Sequence, residues 1–486
     1  MLGFDTSSYL SDGVSRKELC DFESDLHDLA MSLRRSKIRR LGVCANNSLV
    51  WAQVDFACVL AGICMIPIPT FFSEQQRQHI LKECVLEGIV TDDACLFQGP
   101  SLPDFEVLGP EVQLIDLRLN SEASSKAPLL PRGTGKVTFT SGSTGTPKGV
   151  CLSHEQLLKQ ASVLAEIVDM RAPKHLCILP MTTLLENVAG LYAPLLVGGE
   201  VVVPSQESMG FKGSALVEPK KLLLTLSEQK PNTLILIPQL LQLLVGAAAQ
   251  GWRVPDSLQF VAVGGSRVSQ ELLAAARSAG IPAYEGYGLS ECASVVSLNS
   301  SEQYLERSCG KPLPKLSVSI VESEIVVSGN CMLGYMNDES SWYPRQIVTG
   351  DIGSIDEHGY LSIEGRKKNL IISSYGRNIS PEWIESEILA SPLIGEAVVL
   401  GDARPYCVAL LWSASLNSPE DKLLRSWIEH VNKALPDYAQ IRSWYLLPSP
   451  LQANSKLMTD NARPRREAIA MHFAQEIDAL YSQNPH

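Results

Sequence analysis

The sequence predicts an α/β protein with two domains, and three observations support this prediction. The chain has 486 residues, more than one hydrophobic core usually supports. Short apolar runs typical of buried strands alternate with helical segments, which favours parallel sheets covered by helices. The composition changes at the basic run Gly365-Arg366-Lys367-Lys368. We therefore predict a large N-terminal domain over residues 1–365 and a small α+β C-terminal domain over residues 366–486.

The elements of the large domain follow from periodicity along the chain. Apolar side chains at helical spacing predict helices over 17–35, Leu49–Ala61 and Lys220–Ser227. Apolar runs of strand length predict the strands Leu41–Cys44, Gly62–Pro67, Gly88–Thr91, Lys136–Phe139, Gly149–Leu152, His175–Leu179, Glu200–Val203, Thr233–Ile237 and Phe260–Val263. Residues 97–135, rich in Pro, Gly and Ser, are predicted to form a long surface connection. In the small domain, we expect strands Ala397–Leu400 and Val408–Leu411 and a helix Leu423–Leu435.

Bulk composition excludes several classes of protein. The formal charge of −12 argues against a nucleic-acid partner, since such proteins usually carry a basic patch. The twelve cysteines show no CxxC pair and no zinc spacing, which indicates free thiols in a reducing compartment. The N-terminus does not read as a signal peptide, and no apolar stretch is long enough for a transmembrane segment. A cytoplasmic location is the resulting expectation.

The segment Thr140–Gly149 is the strongest functional signal. It holds three glycines and five threonine or serine hydroxyls between two predicted strands. Glycines let several backbone N–H groups point into one concavity, and such a nest holds an anion. Lys148 adds a charge suited to phosphate. The segment therefore predicts a loop that cradles a polyphosphate, with a flexible linker as the alternative.

This loop, followed by Ser153-His154, resembles the signature of the adenylate-forming superfamily of acyl-CoA synthetases, stand-alone adenylation domains and firefly luciferases. The resemblance implies that the protein uses ATP and Mg²⁺ to convert a carboxylic acid into an acyl-adenylate and then passes the acyl group to a thiol. It implies that Lys148 guides the pyrophosphate. The phosphate-binding loop residues are Thr140, Ser141, Gly142, Ser143, Thr144 and Gly145.

Further motifs of the large domain resemble the nucleotide site of the same superfamily. In Tyr287-Gly288-Leu289-Ser290-Glu291, the aromatic ring can stack on adenine, Ser290 can donate to a phosphate, and Glu291 offers an oxygen ligand for Mg²⁺. The run Gly264-Gly265-Ser266 precedes this motif. Asp351 and Arg366 match the superfamily's contacts to the ribose hydroxyls, although Thr349-Gly350-Asp351 can also be read as an ordinary turn.

The resemblance assigns three roles in the small domain, which it implies is mobile. Lys368 corresponds to the hinge, and Gly376 to the residue that lines the tunnel for the thiol's pantetheine arm. Lys456 corresponds to the catalytic lysine, which would span the carboxylate and the α-phosphate. The three arginines that follow could meet a phosphate of CoA or acidic residues of a carrier protein, or form a solvated face; they are Arg463, Arg465 and Arg466.

The acid is predicted from the segment Glu186–Tyr192. Asn187 stands where acyl-CoA ligases often have histidine and where amino-acid adenylation domains have an aspartate for the α-ammonium. Without a fixed anion and with aliphatic neighbours, the pocket favours a fatty or other apolar acid. The acyl-pocket candidates are Asn187, Gly190, Leu191, Ala293 and Val296. We expect an acyl-CoA synthetase; a carrier-protein ligase and a nucleotide-binding regulator without activity stay open as alternatives.

Overall fold

The computed structural model describes residues 3–102, 112–118, 127–140, 147–213, 215–416, 421–454, 456–458 and 463–482. These residues form an α/β protein with a large N-terminal sheet domain and a small C-terminal domain, which confirms the predicted fold class. None of the helices in the described residues has the length and apolar character needed to span a membrane.

The first large sheet carries the phosphate-loop hairpin. Its central strands are parallel, while Lys148–Leu152 and Gln113–Asp116 pair antiparallel with their neighbours. Across the sheet, the strands lie in the order Gly334–Tyr335, Lys148–Leu152, Lys136–Thr140, Cys64–Pro67, Arg40–Cys44, Gly88–Thr91 and Gln113–Asp116. The predicted surface connection 97–135 is therefore interrupted by an edge strand. Its apolar content is only Leu114 and Ile115, too short a run to stand out in the sequence.

The second large sheet is parallel at its centre. Its strands lie in the order Lys311–Pro312, Ser297–Leu298, Ala283–Tyr287, Phe260–Val263, Thr233–Leu236, Lys174–Leu176, Glu200–Val202, Tyr9–Ser11 and Arg16–Glu18. The five strands from Ala283–Tyr287 to Glu200–Val202 run parallel. Their carboxyl ends therefore meet at one edge, where ligands of such sheets usually bind.

A third sheet is antiparallel, which the sequence reasoning did not predict. It orders the strands Ser317–Val321, Glu324–Ser328, Gln346–Ile355 and Leu361–Arg366. The outer strand Ser317–Val321 alternates exposed and half-buried residues, so it lacks the apolar run of a strand buried on both faces. This sheet brings Asp351 directly opposite Arg366 on the neighbouring strand.

Helices cover the large sheets. Leu49–Ala61 begins at Ser48, whose hydroxyl accepts from the Trp51 N–H, and ends at Gly62 in the left-handed conformation (φ 69°). The principal helices of the large domain are Glu23–Arg35, Leu49–Ala61, Glu74–Cys84, His154–Val168, Glu186–Tyr192, Pro219–Gln229, Pro238–Ala249 and Gln270–Ser278. Glu186–Tyr192 is a π-helix, a form that is often found at functional sites.

The small domain has its own core and touches the large domain. Its sheet orders Glu396–Leu400, Cys407–Trp412 and Ile441–Leu446, with a hairpin of Ile371–Ile372 and Asn378–Ile379 beside it. Its helices are Pro381–Ile388, Lys422–Ala434, Arg466–His472 and Ala474–Ser482. Gln242 donates to the Leu389 carbonyl at 2.8 Å, and His430 lies 2.6 Å from the Glu271 carboxylate. These contacts seat the small domain against helices of the large one.

Candidate active site

A central strand of the second sheet carries the predicted glycine pair at its carboxyl end. The strand Phe260–Val263 continues into Gly264-Gly265, and the Gly264 N–H donates to the Leu236 carbonyl at 3.1 Å. Gly265 has φ +85°, a conformation that favours glycine, and it and Ser266 are exposed. Gly265, unlike the buried Gly264, therefore offers open backbone at the carboxyl edge of the sheet.

Asp351 contacts two of the other predicted nucleotide residues. Its Oδ2 accepts a 2.6 Å hydrogen bond from the Tyr287 hydroxyl, and its Oδ1 lies 2.7 Å from Arg366 Nε. Asp351 is almost fully buried, whereas the Arg366 side chain is 37% exposed. Burial, followed by the negative charge of Asp351, raises the pKa of Tyr287. The arrangement gives a fixed carboxylate beside an aromatic ring and a partly exposed guanidinium, and the ribose contacts of these residues stay a prediction.

Glu291 and Lys148 meet at Tyr335. The Tyr335 hydroxyl donates to Glu291 Oε1 at 2.9 Å, and the Lys148 ammonium lies 5.0 Å from the centre of the same ring. Burial, then the charge of Glu291, raises the pKa of Tyr335, so the phenol stays a donor. Glu291 is half-buried and has hard carboxylate oxygens, which fits a Mg²⁺ ligand. Sequence reasoning missed Tyr335; its only signal was a place in the motif-like run Leu333–Asn337.

The turn that carries Glu291 is strained. A side chain at Gly288 would place its Cβ 1.7 Å from the Ser294 carbonyl oxygen, so only glycine fits there. Ala293 and Ser294 have φ of 55° and 93°, values that L residues seldom adopt. Residues in such conformations often cluster at functional sites, where the surrounding structure holds them.

The described ends of the phosphate loop form a hairpin stem. Thr140 pairs with Lys148 at the end of the two antiparallel strands, and Lys148 is exposed. The loop residues Ser141, Gly142, Ser143, Thr144 and Gly145 lie outside the described residues. Their assignment to phosphate binding stays a prediction.

The acyl-pocket candidates lie inside the packed core. Leu191, Ala293 and Val296 are fully buried, and Asn187 is 2% exposed. The half-buried or exposed positions of the same stretch are Thr183, Leu185 and Ala189. Leu185 and Ala189 pack against the cores of both large sheets. Sequence reasoning did not single out these three residues, because which helix face is buried depends on packing.

The Asn187 side chain belongs to a buried ionic network. Lys136 Nζ lies 2.8 Å from Asp55 Oδ1 and 2.6 Å from Asn187 Oδ1, and both charged side chains are at most 1% exposed. Asn187 Nδ2 and the Tyr192 hydroxyl each donate to Asp55 Oδ2 at 2.7 Å. The network ties the π-helix to the strand that leads into the phosphate loop.

The Glu186 side chain points into the protein interior. It is fully buried, and its Oε1 lies 2.9 Å from His175 Nε2. Cys177 lies beside this pair, so the three side chains have the chemistry of metal ligands. A Cβ at Gly190 would come within 2.6 Å of both Glu186 Oε1 and His175 Nε2, so any other residue here would have to displace that pair.

The small-domain candidates occupy three different settings. Lys368 lies in the short turn Lys367–Asn369, where burial and the charges of Arg366 and Arg463 lower its pKa. Gly376 sits at an exposed hairpin turn with φ +71°. Lys456 is exposed, and its backbone N–H donates to Asn454 Oδ1 at 3.0 Å. The hinge, tunnel and catalytic roles of these residues stay predictions.

The chain matches the AMP-binding enzyme family over residues 20–335 and the AMP-binding enzyme C-terminal domain over residues 368–485. It therefore belongs to the AMP-binding enzyme family. A long-chain-fatty-acid–CoA ligase, FadD15 of Mycobacterium bovis, is 25% identical over 91% of this chain and 89% of its own length. The protein is an AMP-forming, acyl-CoA synthetase-like ligase.

Solved structures share the whole fold. The anthranilate CoA ligase AuaEII, in complex with anthranoyl-AMP, has a TM-score of 0.79 at 18% identity and covers 98% of this chain and 95% of its own. The o-succinylbenzoate CoA synthetase MenE of Bacillus subtilis, in complex with ATP and a magnesium ion, has a TM-score of 0.71 at 23% identity and covers 90% and 92%. These likenesses confirm the architecture of a large sheet domain and a small C-terminal domain.

Proposed function

We propose that the enzyme joins an apolar carboxylic acid, most simply a fatty acid, to AMP and then to CoA. The arrangement of Tyr287, Asp351 and Arg366 at the carboxyl edge of the second sheet carries this proposal. It would supply the ribose contacts of the nucleotide, and Gly265 is exposed at the same edge. The relative and the two solved proteins that this chain resembles act on acids and CoA, which supports CoA as the thiol.

The chemistry requires activation of a poor electrophile. A carboxylate oxygen attacks the α-phosphorus of ATP, the bond to pyrophosphate breaks, and pyrophosphate leaves with the electron pair. Lys148 and the loop beyond it neutralise the leaving phosphates. Magnesium, when bound at Glu291, would lower the negative charge of the phosphates. Tyr335 holds Glu291 Oε1 at 2.9 Å and so orients the carboxylate.

The preference for an apolar acid is supported by the side chains that remain accessible. Thr183, Leu185 and Ala189 carry no charge. Glu186 is fully buried with its Oε1 on His175, so it does not offer its carboxylate to a substrate ammonium. Asn187 is held by Lys136 and Asp55. A charged substrate tail would therefore be desolvated without a partner, which is costly.

An ATP–pyrophosphate exchange assay over saturated fatty acids, aryl acids and amino acids tests this function. Exchange should rise with alkyl length before a cut-off, by about 0.8 kcal/mol or roughly fourfold in kcat/KM for each buried methylene. The same acids are then offered with CoA or with the pantetheine of a carrier protein, and we expect thioester with CoA. An amino acid that outperforms every fatty acid would contradict the apolar pocket.

A further inference from the structure

The strand that carries Asp351 bulges where it pairs with the strand before it. Between the paired residues Val348 and Ile352, the three residues 349–351 lie opposite the single residue Ile325. A bulge interrupts the ladder of hydrogen bonds and changes the direction of the side chains on it, and bulges are frequent next to functional sites. The direction of the Asp351 carboxylate therefore depends on what holds this bulge, which we call the Asp351 bulge.

Two side chains hold the Asp351 bulge by its backbone. The Gly350 N–H donates to Glu324 Oε1 at 2.8 Å, and the Thr349 hydroxyl donates to the Ile325 carbonyl at 2.9 Å. The Asp351 N–H donates to Thr349 Oγ1 at 3.1 Å. Glu324, Thr349 and Asp351 are buried, and buried polar groups are costly to leave unpaired. These bonds therefore replace the ladder hydrogen bonds that the bulge interrupts.

Gly350 makes the bulge possible but does not restrain it. Its φ of +74° is a conformation that favours glycine, whereas a Cβ there would meet no atom within 4 Å. Glycine can also adopt many other conformations, so the bulge needs a restraint from outside its own backbone. The Glu324 carboxylate provides one, because a hydrogen bond to an ionised acceptor is stronger than a neutral one. Loss of this carboxylate would free the peptide next to Asp351.

Glu324 is itself held by a turn and by an ion pair. It follows the two-residue turn Glu322-Ser323, whose φ values of 48° and 66° suit a tight hairpin. Its second carboxylate oxygen, Oε2, accepts from the Lys367 ammonium at 3.0 Å. The Lys367 side chain is 56% exposed, so this ion pair should contribute little to stability. The hydrogen bond from the Gly350 N–H is thus the contact by which Glu324 acts on the Asp351 bulge.

We propose that Glu324 is a positioning residue for the nucleotide, because it holds the bulge that directs the Asp351 carboxylate toward the ribose hydroxyls. The proposal rests on the ribose site proposed above. Asp351 accepts from Tyr287 and Arg366, and each of its oxygens keeps a lone pair for a ribose hydroxyl. Hydrogen bonds weaken steeply as their angle departs from linearity, so a small rotation of the bulge lowers the affinity for ribose. Glu324 does not touch the nucleotide and acts through Asp351.

The test measures the affinity of the full-length enzyme for MgATP and for the magnesium complex of 2′,3′-dideoxy-ATP by calorimetry. The analogue lacks both ribose hydroxyls, so it cannot use the Asp351 carboxylate. Glu324→Ala should weaken MgATP binding by roughly 5- to 20-fold, which is part of the value of a hydrogen bond to a charged group. Its affinity for the dideoxy analogue should stay within about twofold of wild type, because both changes remove the same interaction and their effects do not add.

Further variants assign the effect to the bulge. Thr349→Val removes the second restraint and should reproduce the loss for ATP but not for the analogue. Glu324→Gln keeps an oxygen that accepts from the Gly350 N–H and should retain most of the affinity, and Lys367→Met should do likewise. Glu322→Ala, at an exposed carboxylate in the adjacent turn, is the matched control and should leave both affinities unchanged.

Three outcomes would overturn the assignment. The first is an equal loss for ATP and the dideoxy analogue, which would indicate a structural role. The second is unchanged MgATP affinity in Glu324→Ala; should that variant fail to fold, Thr349→Val decides with the same two ligands. The third is a loss in Lys367→Met as large as in Glu324→Ala, which would assign the effect to the ion pair. A wild-type enzyme that binds both nucleotides equally would reject the ribose site itself, whereas absence of pyrophosphate exchange with every acid would reject only the proposed reaction.

Discussion

Two clusters of charged side chains in this protein contain similar groups but differ in their exposure to solvent. Lys136 and Asp55 lie in the core, where every heteroatom of the pair has a partner within the network of Asn187 and Tyr192. Asp351 and Arg366 form an ion pair nearer the surface, where the Arg366 side chain is 37% exposed. The first cluster is closed to solvent, whereas the Arg366 guanidinium of the second cluster is partly accessible to a ligand. Full satisfaction in a dry site indicates a structural role, whereas an accessible donor beside a fixed carboxylate indicates binding.

The energetic consequences differ in the same way. A buried ion pair is costly to desolvate, so losing one partner leaves an uncompensated charge in a low-dielectric interior. A partly exposed pair keeps contact with water, so its loss should affect ligand affinity more than the stability of the fold. Stability and nucleotide affinity should therefore respond separately to substitutions in the two clusters.

Lys136→Met should give the largest effect. Asp55 would stay buried without its cation, which should lower the free energy of unfolding by roughly 3–5 kcal/mol. The measurement is the urea midpoint together with its slope. The double variant Asp55→Leu/Lys136→Met is the control, and it should be more stable than Lys136→Met alone because no charge is stranded. A double variant less stable than the single one would contradict the closed-cluster interpretation.

Asp351→Asn should act on the nucleotide. Hydrogen bonds to a charged group are worth about 1.5–3 kcal/mol, so MgATP affinity should fall roughly 10- to 100-fold. Its urea midpoint should move much less than that of Lys136→Met. Glu357→Gln, at a side chain that is 88% exposed in a turn, is the matched control and should leave MgATP binding unchanged. Calorimetry with MgATP measures both, and unaltered affinity in Asp351→Asn would reject the ribose site.

A substitution at Glu285 should have a smaller effect on stability, and this effect should depend on pH. Burial raises the pKa of this carboxyl to about 7, and Arg267 opposes the shift only in part. The folded state thus holds a proton between the ordinary pKa and about 7, so Glu285 costs stability as the pH rises through that window. Glu285→Gln should match wild type near pH 5 and be about 1–3 kcal/mol more stable at pH 8. Urea titrations at both pH values decide this, and an equal difference at both would contradict it.

Local pattern predicted much of the fold. Leu49–Ala61 was predicted with the bounds that the structure shows, because an apolar run between Ser48 and Gly62 has clear caps. The antiparallel sheet Ser317–Arg366 was not foreseen, since its outer strand alternates exposed and half-buried residues and the sheet gains its stability from pairing. Tyr335 was also missed as a partner of Glu291, because 44 residues separate the two and no local rule joins them.

The sequence by itself determined the order of the motifs, the alternation of strands and helices, and the membership in a nucleotide-using class, because these depend on residue type and short spacing. Only the tertiary structure decided that the Asn187 side chain hydrogen-bonds Lys136 and Asp55 inside the core. It likewise decided that Arg463 of the small domain contacts the Gly265 carbonyl of the large one. The physical reason is that a side chain's partners depend on which helix face is buried and on how two domains meet, and both are set by packing between residues far apart in the chain.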